Sequence, residues 1–416
     1  MKSYFLKLCW KNIWRNRRRT LITVNAIGLG VMSLVALRNY YDCFHEQVIQ
    51  NVIRYTNGHL VVSAPGYHDN RNTSSNVKDP KAIQTWLTEN KDVKAWSSRV
   101  AVNGLLSSAR GSANIIFAGV DAASEPNVTQ FSKNIVEGKY FGANVAKQIV
   151  IGKKLSELLH AEVGSKVVAL TQGVDGSIGN ELFYVAGIFE TQSDADKGVA
   201  FIPINEARLL ASLPNQAVNQ IAIVLNEQKD IDRVKNAFIK TFASDIDSKK
   251  VEILPWMEVQ RHIRAMIELD KAVNRLLMII ILCVAALGIG NSILMSIMER
   301  TREFGVMMAI GTRKKEIISM VTIETLMISL VGIVLGNALA VGIITYFGKV
   351  GFDLKWLTAQ KLVIDGTIIQ TVSYPTVQWS NSLSVTCVIL LLTLIVAIMP
   401  ARHISKLNPV QALRAN

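Results

Sequence analysis

The chain is patterned by four long apolar runs separated by stretches of mixed polarity. Leu21–Leu37 holds 17 residues without a charge, Leu276–Met298 holds 23, and Ser382–Pro400 holds 19. The remaining run, Ile317–Phe347, is interrupted only by Glu324 and is uncharged for 23 residues from Thr325 onward. A bilayer-spanning helix needs about 20 apolar residues, with a lower limit near 17. The pattern therefore predicts four transmembrane helices, at 21–40, 276–298, 317–347 and 382–400.

Between the first two spans the pattern changes to short alternating strands and amphipathic helices, predicting an α/β domain over 41–265. Gly58–Ala64 alternates as a strand, Asp79–Asn90 reads as a helix after an Asp-Pro start, and Trp96–Ser107 reads as a second strand. The same order recurs at Asn219–Asn226, Asp230–Ala243 and Val251–Leu254. Two β-α-β patterns flanking a central stretch predict one α/β subdomain, 41–111 with 214–255, carrying an insertion at 112–213. The insertion reads as mainly short strands, at Ala113–Val120, Gln148–Ile151, Lys166–Thr171 and Leu182–Phe189, with helices at Gly152–His160 and Asn205–Leu213. Residues 65–79 read as an exposed loop, and 256–275 as a helical stalk leading directly into the second span.

Composition agrees with a membrane class. Half of the 416 residues are hydrophobic and only 19% are charged, where a soluble domain carries roughly a quarter. Disorder and an ordinary cytosolic enzyme are both disfavoured. The net charge of +13 is not spread over a folded face, as nucleic-acid binding would require. Residues 1–20 carry seven Lys or Arg and no acid, 299–316 carry a net +2 and 401–416 a net +3, whereas 38–275 hold 27 basic and 26 acidic residues. The positive-inside rule then places both termini and the 299–316 loop in the cytoplasm, and the 41–265 domain and the 348–381 loop outside. A cleaved signal peptide is the competing reading of the first run. The basic region is too long for one, and Val35-Ala36-Leu37 is a poor cleavage site, so an uncleaved span is expected. Within 1–20, Trp10 and Trp14 interleave with Arg15, Arg17, Arg18 and Arg19, as in an amphipathic helix anchored among lipid headgroups.

Catalytic signatures are missing. There is no G-x-x-x-x-G-K-[ST] phosphate loop, no G-x-S-x-G, no H-E-x-x-H, and the four cysteines and six histidines do not cluster as metal ligands. No catalytic or metal site is expected in this chain, and ATP with Mg would belong to a partner. The informative segment is 299–316, a short charged helix that opens onto small and apolar residues and ends in the basic turn Arg313-Lys314-Lys315. Local ion pairs within Glu299, Arg302 and Glu303 are expected, each contributing about 0–1 kcal/mol when exposed. Stability does not require such a density of charge; a short amphipathic helix at the membrane surface is suited to docking a cytoplasmic partner, the alternative being a solvated turn. Glu324, one turn inside the third span, is expected to face Arg313 or Lys314 in a structural or coupling role. Gly332 and Gly336 form a small-xxx-small pair suited to close helix approach, and Gly288 and Asn291 are candidates for the same use in the second span.

Several of these segments resemble the FtsX-like permeases of MacB-type, or mechanotransmission, ABC transporters. The likeness rests on Asn291 with Met298-Glu299-Arg300-Thr301-Arg302-Glu303-Phe304-Gly305 and Ala309-Ile310-Gly311, on Trp10–Asn16 with Arg19-Thr20, and on Pro400-Ala401-Arg402 with Leu407–Arg414. Within the external domain, Val150–Leu155, Val163–Val167, Tyr184–Glu190 and Ala200–Pro203 are also similar to that family. Among its branches the chain looks most like the lipoprotein-releasing LolC/LolE permeases.

The resemblance implies a permease dimer, either homodimer or heterodimer, bound to two copies of a separate cytoplasmic ABC ATPase in the bacterial inner membrane. Membrane lipid surrounds it, nucleic acid is not a partner, and the external domain lies in the periplasm. Glu299, Arg300, Arg302 and Glu303 would meet the ATPase, Phe304 or Met308 would sit in its groove, and Gly305, Ala309 and Gly311 would allow close approach. The periplasmic domain would then act on a lipoprotein or its carrier. Rival readings are export of a peptide or small molecule, control of a cell-wall hydrolase, and an ATPase-independent receptor or scaffold.

Overall fold

The structure is a computed structural model that describes residues 13, 15, 17–142, 146–191, 195–353, 363–364, 367–368 and 372–406. These fall into two compact units, one within Met1–Glu46, Glu268–Trp356 and Thr371–Asn416, the other within Gln47–Ile267 and Leu357–Gln370. In chain order, α1 (Arg17–Tyr55) is followed by β1 (Leu60–Ser63), α2 (Lys81–Glu89), β2 (Val93–Ser107), β3 (Ser112–Val120), β4 (Ile135–Gly138) and β5 (Gln148–Gly152). Then come α3 (Lys153–Leu159), β6 (Lys166–Gln172), β7 (Ile178–Phe189), β8 (Val199–Pro203), α4 (Ile204–Leu210), β9 (Gln220–Leu225), α5 (Ile231–Thr241) and β10 (Glu252–Pro255). The last elements are α6 (Arg261–Glu299), α7 (Thr301–Ala309), α8 (Lys314–Val350) and α9 (Trp379–Lys406).

The helical unit contains four helices long and apolar enough to cross a membrane, namely α1, α6, α8 and α9. Small residues let α1 meet α8. A Cβ on Gly336 would lie 2.5 Å from the Gly28 carbonyl oxygen and 2.8 Å from Val31 Cβ, and one on Gly332 would lie 2.9 Å from Ile27. Close backbone approach of this kind multiplies dispersion contacts, which drive helix association where no water is left to expel. Val24, Ile27, Val31, Ile328, Ile333 and Ala340 fill the resulting seam. At the other end of α1 the contacts are polar. Arg38 donates to Asn381 (3.1 Å), Asn381 donates to Asp42 (2.8 Å), and Asn39 accepts the Gln378 backbone N–H (2.7 Å), tying α1 to the start of α9.

In the second unit the two anticipated β-α-β patterns interleave. Strand order is β10-β1-β9-β2 with every neighbour antiparallel, so β9 lies between β1 and β2 and β1 lies between β9 and β10. This is a pair of split β-α-β units. The helices seat their apolar stripes, Ile83 and Leu87 from α2 and Ile231, Val234 and Phe238 from α5. Trp86 of α2 meets Phe238 edge-on at 5.5 Å.

The remaining strands close into a barrel. β2 pairs β3, β3 runs parallel to β8, β8 pairs β5, β5 runs parallel to β7, and β7 pairs β6, which returns to β2. Leu106, Phe117, Ile149, Phe183 and Ile202 pack into the core that this closure encloses. One ten-stranded sheet runs through both the split β-α-β units and the strands of 112–213, a continuity that the expectation of a subdomain with an insertion did not include. The cause is the length of β2. Its 15 residues exceed what β9 can pair, and the overhanging half takes β3 and β6 as partners in place of exposing an open edge.

Two further expectations change. Residues 65–79 are not a wholly exposed loop, because Tyr67 and Val77 are buried and Val77 exchanges backbone hydrogen bonds with Val218. The 256–275 stalk is not one helix either. Trp256–Val259 forms a separate turn whose Trp256 is buried, and the unbroken 39-residue helix begins at Arg261.

Candidate functional site

Helix α7 is set off by a sharp change of backbone at each end. Arg300 leaves helical geometry after α6, and its N–H bonds the Ile297 carbonyl oxygen at 3.2 Å. At the far end Gly311 adopts φ +101°, a conformation open to glycine, and nothing lies within 4 Å of where a Cβ would stand. Within this chain Gly311 thus serves backbone freedom and packs against nothing. Helix α8 starts at once, with the Glu316 carboxylate accepting the Arg313 N–H at 3.0 Å in a capping box.

The two faces of α7 differ in a way that redistributes the candidate residues. Phe304 is 1% exposed and packs in the core of the helical unit, with Arg300 and Gly305 also buried. None of the three is available to an ATPase groove, which corrects their assignment as contact residues. Met308 is half-buried against the same core. Facing outward are Glu299, Arg302, Glu303, Val306, Ala309, Ile310 and Gly311. Ile310, at 79%, is among the most exposed large apolar side chains of the chain. Arg302, Val306 and Ile310 stand four residues apart, so they share a stripe. Val306 and Ile310 were not among the candidate residues, although that spacing was the available signal for an exposed stripe.

A chain of charges fastens the inner face. Arg300 Nη1 donates to Glu324 Oε2 at 2.8 Å with both side chains buried, and Arg300 Nε donates to Glu303 Oε2 at 3.1 Å. The Arg300 guanidinium also lies 5.4 Å from the Phe304 ring centroid. Glu303 further accepts from Arg15. Burial alone would raise the Glu303 pKa, but the hydrogen bonds from Arg15 and Arg300 outweigh it and hold the carboxyl below its usual range. Glu324 thus faces Arg300, and not Arg313 or Lys314, because α8 turns it inward toward the start of α7. The Glu303 partners are likewise Arg300 and Arg15, and not Arg302.

The remaining candidates divide similarly. Gly332 and Gly336 pack, and Gly28 of α1 is the partner that sequence reasoning did not name. Gly288 has nothing within 4 Å of a Cβ and Asn291 is exposed, so within this chain neither packs a helix, contrary to expectation. Trp10 and Trp14 lie outside the described residues. Arg15, Arg17 and Arg18 are exposed, and Arg19 belongs to α1 with its side chain outside the described set. The terminal motif 407–414 also lies outside it.

Comparison with known proteins agrees with this architecture. Residues 20–241 match the MacB-like periplasmic core domain, and residues 275–409 match the FtsX-like permease C-terminal region. The chain is 22% identical to the lipoprotein-releasing system transmembrane protein LolC of Neisseria meningitidis, over 95% of this chain and 94% of LolC. It is 25% identical to the pyoverdine export ATP-binding/permease protein PvdT of Pseudomonas syringae pv. tomato, over 98% of this chain and 59% of PvdT. For the macrolide export ATP-binding/permease protein MacB of Acinetobacter baylyi the identity is 21%, over 96% of this chain and 57% of MacB. The chain therefore spans less than two thirds of these two export proteins. Among solved structures, the periplasmic region of MacB from Actinobacillus actinomycetemcomitans aligns at 12% identity and TM-score 0.37, covering 52% of this chain and 95% of that one. With four candidate spans and the two matched regions covering most of its length, the chain belongs to the FtsX-like permeases with a MacB-like periplasmic core domain, the MacB/LolC type of ABC-transporter permease.

Proposed function

We propose that this chain is the mechanical subunit of an inner-membrane transporter, coupling ATP binding and hydrolysis by a separate ATPase to motion of its periplasmic domain, and that it releases lipoproteins from the membrane. The observation that carries the coupling is the division of α7. One face is fastened to α8 through Arg300 and Glu324, and the other offers the stripe Arg302, Val306 and Ile310. An amphipathic helix docks by laying such a stripe in a groove of its partner. Displacement of α7 by a closing ATPase then reaches α8 through the buried pair. The nucleotide acts only insofar as the ATPases bind one arrangement of the helices better than the other.

A second permease chain completes the reading. Helix α6 is the span least covered by its own chain, and Asn291 is exposed on it beside Gly288. A carboxamide facing hydrocarbon is costly, and a facing helix can satisfy it. With both termini and α7 on the cytoplasmic side, the positive-inside rule is met.

Lipoprotein release is favoured by the likeness to LolC, which extends over nearly the full length of both chains. The second reading, export of a small molecule, draws on the similarity to PvdT and MacB. Proteoliposomes holding the permease, its ATPase and a labelled lipoprotein separate the two. ATP-dependent transfer of the lipoprotein to a soluble carrier, lowered at least tenfold by Ile310→Asp, is the expected result. Retention of the lipoprotein with ATP-dependent movement of a siderophore or macrolide would favour the second reading.

A further inference from the structure

The 65–79 segment contributes Tyr67, His68 and Arg71 to the lining of a cavity within the second unit. The cavity measures about 420 Å³ and is partly open to solvent. Small-molecule sites occupy roughly 300–1,000 Å³. Its lining divides by chemistry. Ile116, Val120, Phe131 and Phe201 contribute apolar surface, whereas Arg71, His68 and Arg99 contribute hydrogen-bond donors or charge.

The charges do not cancel. Glu125 is the one acid among the lining residues, and both of its oxygens are taken. Oε2 accepts from Arg99 Nε at 3.1 Å, and Oε1 accepts from Arg99 Nη2 and from the Thr129 hydroxyl, each at 2.8 Å. Arg99 Nη1 is spent on the Thr56 carbonyl at 2.6 Å and Asn57 Oδ1 at 3.0 Å. A guanidinium has five N–H donors, so one on Nη2 is left over. Arg71 adds a full positive charge and lines the same cavity as Arg99 and Tyr67. His68 Nε2 is buried without a hydrogen-bond partner among the described residues. Burial first, and Arg71 second, push the His68 pKa down to about 4, so the ring is neutral at pH 7. Buried polar atoms of this kind cost stability unless something satisfies them.

We propose that this cavity binds a small amphiphilic carboxylate, its apolar body against Phe131, Phe201 and Ile116 and its head among Arg71, His68 and the remaining Arg99 donor. The volume suits a single medium-length chain or one compact ring system, and not a two-chain phospholipid. Excess positive charge selects an anion over an alcohol or amine, and the segment 65–79 supplies that selectivity through Arg71. The site is separate from the α7 docking face and its occupancy does not depend on an ATPase.

The test uses the full chain in lipid nanodiscs and a photoreactive diazirine derivative of decanoate. After illumination, labelled peptides are identified by mass spectrometry. Labelling is expected within 65–79 or 115–131, displaced by excess decanoate and not by decanol. It should weaken at least tenfold in Arg71→Gln, an exposed position where folding is unaffected, and vanish in Ala118→Trp, which fills the cavity. Labelling confined to α6, α8 or α9, or labelling of 65–79 or 115–131 that is unchanged in Arg71→Gln, would overturn the proposal.

Discussion

Arg300 holds Glu324 across 24 positions of sequence, with Nη1 2.8 Å from Oε2 and both side chains withdrawn from solvent. The pair joins the first residue before α7 to the first turns of α8, and Glu303 extends it to Arg15 ahead of α1. Three segments are thus linked in series, Arg15 to Glu303, Glu303 to Arg300 and Arg300 to Glu324. Any load applied to α7 is therefore shared with two candidate spans.

Removing Glu324 leaves the buried Arg300 with only the more exposed Glu303 as its acid. Glu324→Ala should therefore lower stability, by less than the about 3–5 kcal/mol of a wholly uncompensated buried charge, whereas replacing both Arg300 and Glu324 by apolar residues of similar volume should be near neutral. Denaturant unfolding of the single and double variants in detergent measures the difference. Glu303→Ala, which loses the exposed pair with Arg15 and one of the two acids on Arg300 but keeps the buried Arg300–Glu324 pair, should cost less than Glu324→Ala.

Gly336→Val should separate α1 from α8 and cost roughly 1–3 kcal/mol, because the new side chain meets the Gly28 backbone and Val31. Gly288→Ala, with nothing within 4 Å, is the matched control and should leave the melting temperature of the isolated chain unchanged. Equal losses at both positions would contradict the assigned packing.

The two faces of α7 predict opposite phenotypes. Phe304→Ala removes a fully buried ring and should destabilise by about 3–5 kcal/mol. Ile310→Asp should leave unfolding within about 0.5 kcal/mol of the parent and abolish ATPase binding. Thermal melts and co-purification, run on the same preparations, separate these outcomes.

His68 gives the periplasmic unit a defined acid response. Its pKa is pushed from 6.5 to about 4, mainly by burial. Above pH 6.5 both folded and unfolded chains carry a neutral ring and the group is silent. Between pH 6.5 and about 4 the unfolded chain takes a proton that the folded one refuses, so stability falls with pH, and below about 4 the effect levels off. The loss amounts to about 2 kcal/mol after allowance for the partial exposure of the ring. Melting curves of parent and His68→Asn between pH 7 and pH 4 should diverge by that amount, the variant showing the shallower dependence.

The sequence announces what local chemistry determines. Uncharged runs mark the four spans, and the alternating pattern marks most strands of the second unit, because burial on one face of an element leaves its period in the chain. Partnership leaves no such trace. Nothing local says that Glu324 turns to Arg300 and not to Arg313, or that Gly28 is the seat of Gly336. Helix α7 shows the limit most plainly. It is nine residues long and apolar on two sides, so periodicity finds a helix but does not decide whether Phe304 or Ile310 faces its own core. The closure of the barrel was hidden for a related reason. β8 pairs β3 in parallel across almost 80 residues, and a crossover of that length is set by topology.

The most direct test of the coupling account is a photocross-link from position 310. With p-benzoylphenylalanine in place of Ile310, illumination of native membranes should yield a product containing a cytoplasmic ATPase, its amount changing with nucleotide and falling in an Arg302→Glu background. A folded, membrane-inserted chain whose only cross-links from position 310 are to lipid or to itself would contradict the account.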